Sequence, residues 1–185
     1  MNVIHSLLII IVTLIAIISQ IYLNRNKYKQ MALTDALTGL PNRYALRDYL
    51  KTTSNKTEVV YYIDLDNFKS INDEYGHHYG DDVLKTIASR LALIQSKQVY
   101  RVGGDEFIII FSSTNEQARK KMTLKLLECI QKPIYLDDHQ LKITATIGVS
   151  NVHLLKEDNI KEADRALLSA KKHAKGTAFY HSNSS

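Results

Sequence analysis

Three acidic residues are spaced so that they can meet at one rim of a sheet. Asp64 closes the apolar run Val59-Val60-Tyr61-Tyr62-Ile63, while Asp105 and Glu106 follow the pair Gly103-Gly104. Carboxylates are hard oxygen ligands for divalent cations, and glycines let a backbone approach a phosphate with no Cβ in the way. The end of a buried strand is also where an α/β sheet keeps its ligand site. Cations held by such a trio neutralise a triphosphate, activate a hydroxyl and stabilise departing pyrophosphate. The pattern therefore points to metal-dependent phosphoryl or nucleotidyl transfer. A plain acidic turn is the competing reading, since Gly and Asp are ordinary turn residues.

The flanking stretches must position these groups. Val99-Tyr100-Arg101-Val102 and Phe107-Ile108-Ile109-Ile110-Phe111 are β-branched or aromatic, so the glycine pair between them predicts a hairpin turn. Residues 59–63 read as a central strand covered on both faces. Between strand and hairpin, residues 67–74 predict a short helix closed by Tyr75-Gly76. A longer helix follows over residues 80–95, with Val83, Leu84, Ile87, Ala88, Leu91 and Ile94 as its buried stripe.

Residues 116–131 predict another helix, and residues 134–136 and 141–150 a second hairpin around Asp137-Asp138. The last helix starts after Asp158, with Ile160, Ala163, Leu167, Ala170 and Ala174 on one face, before a short strand at residues 178–180. Upstream, the turn of residues 33–43 leads into a helix with Tyr44, Leu46 and Leu50 as apolar positions. The order predicts an α/β fold, an α+β sandwich around a ferredoxin-like βαββαβ core.

Residues 3–23 contain no Asp, Glu, Lys or Arg. About 20 helical residues cross the roughly 30 Å of a bilayer's hydrocarbon. Thr13 interrupts the apolar run, and its hydroxyl can bond back to the helix. A cleaved signal peptide fits less well, because no basic residue precedes the run and no small-x-small site follows it. Arg25, Lys27 and Lys29 lie just beyond, which by the positive-inside rule sets the rest of the chain in the cytoplasm, on the inner membrane. Residues 24–32 then read as a short polar link, and no separate sensor domain is expected outside.

The 185 residues carry 24 Lys and Arg against 19 Asp and Glu, a net charge of +5. Removing the three juxtamembrane cations leaves 21 against 19, which argues against a nucleic-acid partner. The single cysteine, Cys129, excludes an internal disulfide framework.

Five stretches together resemble one family. They are Asp35-Ala36-Leu37-Thr38-Gly39-Leu40-Pro41-Asn42-Arg43, Asp64-Leu65-Asp66-Asn67-Phe68-Lys69-Ser70-Ile71-Asn72-Asp73, Gly76-His77-His78-Tyr79-Gly80-Asp81, Arg101-Val102-Gly103-Gly104-Asp105-Glu106-Phe107 and Thr146-Ile147-Gly148-Val149-Ser150. In that order they resemble the GGDEF-domain diguanylate cyclases over residues 33–180. The resemblance implies conversion of two GTP into cyclic di-GMP and two pyrophosphates, by a homodimer using two Mg²⁺ or Mn²⁺ ions per site. It assigns metal binding to Asp64, the carbonyl of Leu65 and Asp105, with Asp105 also accepting the ribose 3′-hydroxyl proton. Glu106 would assist either the metal or the attacking hydroxyl. Asn72, His77 and Asp81 match guanine-site positions, while Phe68, Lys69, Gly103, Gly104, Lys171 and Lys175 match other substrate-contacting positions.

Chemistry supports the assignment of Asp81, because an ionised carboxylate accepts from the paired N–H donors of guanine that adenine lacks. Asp81 is equally placed to cap the helix it opens. The adjacent His77-His78 pair lacks the spacing of a zinc site.

Two departures from the family stand out. Ala174-Lys175 replaces the usual Gly-Arg, which keeps the charge and loses the bidentate fork. Ile94-Gln95-Ser96-Lys97 stands where many members carry the Arg-x-x-Asp of product inhibition, so that inhibition is expected to be absent. The alternative to a cyclase is a silent domain that binds GTP or a protein at the membrane.

Overall fold

In the computed structural model, residues 3–53, 57–94, 97–113, 115–154 and 157–181 are described. Strand β1 (Thr57–Leu65) takes the centre of the sheet because its side chains are buried on both faces. β3 (Glu106–Phe111) and β6 (Ala145–Val149) flank it, both antiparallel. β2 (Lys97–Arg101) lies outside β3, and β8 (Ala178–Tyr180) runs parallel to β6 at the far edge. β1, β2, β3 and β6 in this order are the expected ferredoxin-like core. A short β7 (His153–Leu154), unforeseen in the sequence, pairs with the start of β1.

Alternation along β1 divides the core between two faces. Tyr61, Ile63 and Leu65 face helices α4 (His77–Ala92) and α5 (Glu116–Gln131), meeting Leu84, Ile87, Leu91, Leu126 and Ile130. Val60 and Tyr62 face the other way, onto Leu46 of α2 (Arg43–Thr52) and Ala163 and Leu167 of α6 (Glu157–His173). Each fully buried Leu or Ile contributes about 1.5–3 kcal/mol, so the sheet is clamped from both sides.

Several boundaries differ from expectation. The short α3 (Phe68–Tyr75) ends at Gly76, whose φ of 86° turns the chain directly into α4. α4 therefore starts at His77, and Asp81 sits a turn inside it rather than at its cap. The stretch read as one strand over residues 141–150 is two. β5 (His139–Leu141) pairs with β4 (Ile134–Leu136) in a separate ribbon, and only β6 joins the main sheet. Asp66 explains the break: its N–H donates to the Thr144 carbonyl, and its carboxylate accepts from the Thr144 and Thr146 hydroxyls, both at 2.6 Å. Tyr44 is 67% exposed, so Leu46 is the buried anchor of α2.

α1 (Val3–Leu33) is one continuous helix through the stretch expected to be a polar link. Its segment His5–Arg25 has a mean hydropathy of 2.5, is wholly unburied, and is long and apolar enough to cross a membrane. Thr13 donates its hydroxyl to the Ile10 carbonyl, as its position suggested.

The turn after α1 is held firmly to the end of β2 and the start of α2. Asn42 N–H donates to the Leu33 carbonyl, and Asn42 Oδ1 caps α2 by accepting from Tyr44 and Ala45. Asp35 accepts from Thr38 twice and from Arg101 at 2.8 Å, which ties this turn to the end of β2.

Candidate functional site

The register of β1 brings the acidic residues together. Asp64 stands opposite Glu106 of β3 and Thr146 of β6, and Leu65 N–H donates to the Asp105 carbonyl. A cleft of about 260 Å³ opens here, lined by Asp64, Leu65, Asp66, Asn67, Phe68, Lys69, Asp105, Lys171 and Lys175. Seven of these were expected from the sequence. The cations come from α6 and the residues after it. Lys171 Nζ lies 2.7 Å from Asp64 Oδ2, and Lys175 Nζ donates to Asn67 Oδ1 at 2.8 Å.

Burial raises the Asp64 carboxyl above its ordinary value. Lys171 opposes that rise, while the negative charges of Asp105 and Asp66 add to it. The lining combines three carboxylates, Asp64, Asp66 and Asp105, with three lysines, Lys69, Lys171 and Lys175, so a cation entering the cleft competes with Lys171 for Asp64.

Glu106 is turned away from this cleft. Its carboxylate accepts from the Tyr62 hydroxyl at 3.3 Å and lies 3.9 Å from the Arg43 guanidinium. Burial and the nearby Glu106 push the Tyr62 hydroxyl well above the usual tyrosine range, so it stays a donor. The expected meeting of three carboxylates is realised for two. Among the described residues, no three His, Cys, Asp or Glu side chains are grouped to hold a metal. Asp64, Asp105 and the Leu65 carbonyl still form an all-oxygen donor set at one half-buried cleft. That chemistry fits a hard divalent cation such as Mg²⁺ or Mn²⁺.

Neither Gly103 nor Gly104 has a positive φ, so the turn does not depend on left-handed backbone. Gly103 is needed for closeness, because a Cβ there would stand 2.1 Å from Glu106 Oε2. Gly104 faces open space and accepts from Arg101 through its carbonyl.

Asn72, His77 and Asp81 do not line the cleft. They occupy the adjoining corner between α3 and α4, reached from Phe68 and Lys69 at the start of α3. The Asn72 carboxamide rests on Gly80, where a Cβ would lie 1.9 Å from Asn72 Oδ1. His77 and Asp81 are one turn apart on the same face of α4.

Two cleft residues lay inside a matching stretch of the sequence with no role assigned to them. Asp66 is only 6% exposed and binds Thr144, Thr146 and the Gly176 N–H, so it braces the cleft's floor. Its spacing of two from Asp64 was the available signal. Asn67 adopts a φ of 56°, which aims its amide at Lys175. Gln95 and Ser96, in the expected inhibition segment, lie outside the described residues.

Comparison with known proteins agrees with this fold. The family model described as diguanylate cyclase, GGDEF domain, matches residues 32–177. Diguanylate cyclase DgcN of Escherichia coli is 37% identical over 76% of this chain and 37% of its own length. Cyclic di-GMP phosphodiesterase PdeR of the same organism is 33% identical over 82% of this chain and 24% of its own. Such curated relatives are longer proteins, of which the chain spans from 19% to 46%.

Among solved structures, diguanylate cyclase SiaD of Pseudomonas aeruginosa, in complex with its activator SiaC, superposes with a TM-score of 0.73. It is 27% identical, over 95% of this chain and 74% of that one. The coiled coil and GGDEF domain of DgcB from Caulobacter crescentus, in complex with c-di-GMP, gives a TM-score of 0.78 at 22% identity. The match covers 95% of this chain and 99% of that one, and the likeness is one of fold.

Proposed function

The chain belongs to the GGDEF-domain family, and on that premise we propose that it is a diguanylate cyclase condensing two GTP into cyclic di-GMP. The observation that carries the proposal is the single cleft in which Asp64, Asp105, Lys171 and Lys175 meet. Asp64, Asp105 and the Leu65 carbonyl would hold the Mg²⁺ or Mn²⁺ ions, with Glu106 as a further carboxylate. Bound there, the ions would neutralise the triphosphate and acidify the attacking hydroxyl.

The chain's own residues supply the rest. Lys171 exchanges its ion pair with Asp64 for one with the triphosphate, and Lys175 leaves Asn67 to do the same. Asn72, His77 and Asp81 hold the guanine, where the acceptor-only carboxylate of Asp81 selects against adenine. Asp105 takes the proton from the 3′-hydroxyl as it attacks the α-phosphorus of a GTP held by a second subunit. Gly103 and Gly104 leave room for the nucleotide at the turn, and Phe68 and Lys69 flank the phosphates. Catalysis is then mostly positioning and charge stabilisation.

The domain of residues 33–180 would carry this chemistry, joined through residues 24–32 to a membrane span of residues 3–23. The bare, apolar helix and its following cations support a single pass with the domain in the cytoplasm. Lack of the Arg-x-x-Asp pair predicts no inhibition by low product concentrations. Saturable inhibition that disappears on mutating residues 94–97 would overturn this.

The test is the full chain in lipid nanodiscs, given GTP and Mg²⁺. Cyclic di-GMP with two pyrophosphates per product, abolished by Asp105→Ala, is the expected result. Glu106's engagement with Tyr62 and Arg43 favours a second reading, a domain that binds GTP without turnover. Tight GTP binding with no pyrophosphate release would select it.

A further inference from the structure

The β4–β5 ribbon has no part in the main sheet, yet it is fastened to α4 at two points. Near its base, Arg90 of α4 donates to the carbonyls of Lys132 and Pro133, the latter at 2.6 Å. At its tip, Tyr79 donates its hydroxyl to Asp137 Oδ2 at 2.7 Å. Arg90 and Tyr79 are about 16 Å apart along the helix, at 1.5 Å per residue. The ribbon therefore lies along most of α4.

Its tip is specialised for this contact. Asp137 adopts a φ of 49°, the left-handed turn conformation that Asp and Asn tolerate. The His139 ring packs edge-on against Tyr75 and Tyr79, with centroids 5.5 and 5.9 Å away, and those two tyrosines lie 5.9 Å from each other. Tyr75 is the last residue of α3 and Tyr79 lies in the first turn of α4. The tip thus grips both sides of the Gly76 corner.

That corner carries Asn72, His77 and Asp81. At about 100° per residue, Tyr79 points roughly 200° away from His77 and Asp81. The ribbon therefore grips the side of the first turn away from those two residues. Tyr79 also adjoins Gly80, against which the Asn72 carboxamide rests.

We propose that the β4–β5 ribbon is a strap that fixes the first turn of α4, with Tyr79 and Asp137 as positioning residues for guanine recognition. This rests on the assignment of Asn72 and Asp81 to the base. No residue of β4 or β5 lines the cleft that holds Asp64 and Asp105. Loosening it should weaken nucleotide binding and leave the chemical step alone.

The experiment uses the full chain in nanodiscs, with GTP affinity, KM and kcat measured alongside amide hydrogen exchange over residues 72–81. Tyr79→Phe removes only the hydroxyl, and Asp137→Gly removes the acceptor while suiting the positive φ. Each should raise KM and Kd for GTP measurably, by up to about fivefold, the ceiling set by one hydrogen bond, with kcat unchanged. The double variant should be no worse than either single one, and Asp137→Asn, which keeps an acceptor, should behave as wild type. Exchange at the corner should quicken in Tyr79→Phe and Asp137→Gly alone. Unchanged KM, a fall in kcat instead, or additive effects would overturn the strap. If wild type binds no GTP, the base-site assignment fails. The strap is then judged on exchange: quickening upholds the grip, and unchanged exchange overturns it.

Discussion

A Cβ added at Gly103 would stand 2.1 Å from Glu106 Oε2 and 3.1 Å from Glu106 Cβ, whereas one at Gly104 meets nothing within 4 Å. The atom in the way at Gly103 is mostly the mobile end of a side chain, so the fold should survive. Gly103→Ala places a methyl at the turn proposed to admit the nucleotide and displaces Glu106, so cyclase turnover is expected to fall about 100-fold through misplacement, with little change in melting temperature. Gly104→Ala should keep its melting temperature as well, and equal turnover in the two variants would refute the distinction. Asp35 offers a pH test at the same scale. Burial alone would raise its carboxyl, but hydrogen bonds from Thr38 and Arg101 outweigh that and hold it below the ordinary 3.8. A lowered folded value means stability that is present above 3.8 and lost as pH falls through the folded value. Thermal melts of wild type and Asp35→Asn should therefore differ at about pH 7, by about 1 kcal/mol, with the gap narrowing as pH falls below 3.8. A gap that persists in acid would show that the charge is not what matters.

Between elements, α6 packs its backbone directly against β6. A Cβ at Gly148 would lie 2.0 Å from the Ala163 carbonyl oxygen and 2.4 Å from the Leu167 nitrogen, both backbone atoms that have nowhere to go. Gly148→Ala is expected to destabilise the domain by about 3 kcal/mol or more, at the upper end of overpacking costs. Because Lys171 rides on α6, GTP affinity should fall with it, and a variant with wild-type melting would contradict this packing. The sequence made α5 legible, since the helix spans Glu116–Gln131 as expected and buries Met122, Leu126 and Ile130 at helical spacing. The apolar run of β1 was equally plain. The split between β5 and β6 was not, because it depends on Asp66 drawing in Thr144 and Thr146 from about 80 residues away. Nor was the turn of Glu106 towards Tyr62 and Arg43, since neighbours distant in sequence decide it. Asp64, Asp105 and Lys171 were legible as residue types, and β1 with α6 gives them a common cleft.

At the scale of the whole molecule, one cleft is half of what ring closure requires. A domain with one GTP cannot close a two-phosphodiester ring, so the proposed reaction needs two subunits facing each other. α1 leaves Leu8, Ile18 and Ile21 more than 60% exposed, consistent with a span that confines the domains to two dimensions. Such confinement raises their effective concentration for each other. The symmetry makes a specific demand: each new bond uses one Asp105 as proton acceptor, so a dimer with a single functional Asp105 can form one bond and not two. A heterodimer of wild type with Asp105→Ala, purified through two different tags, should convert two GTP into the linear dinucleotide pppGpG and one pyrophosphate, then stop. Cyclic di-GMP from that heterodimer at half the wild-type rate would mean that the second bond forms without its own Asp105. In that case the acceptor of the second proton must lie elsewhere, and Glu106, held 3.9 Å from Arg43 in the resting chain, is the carboxylate to mutate next.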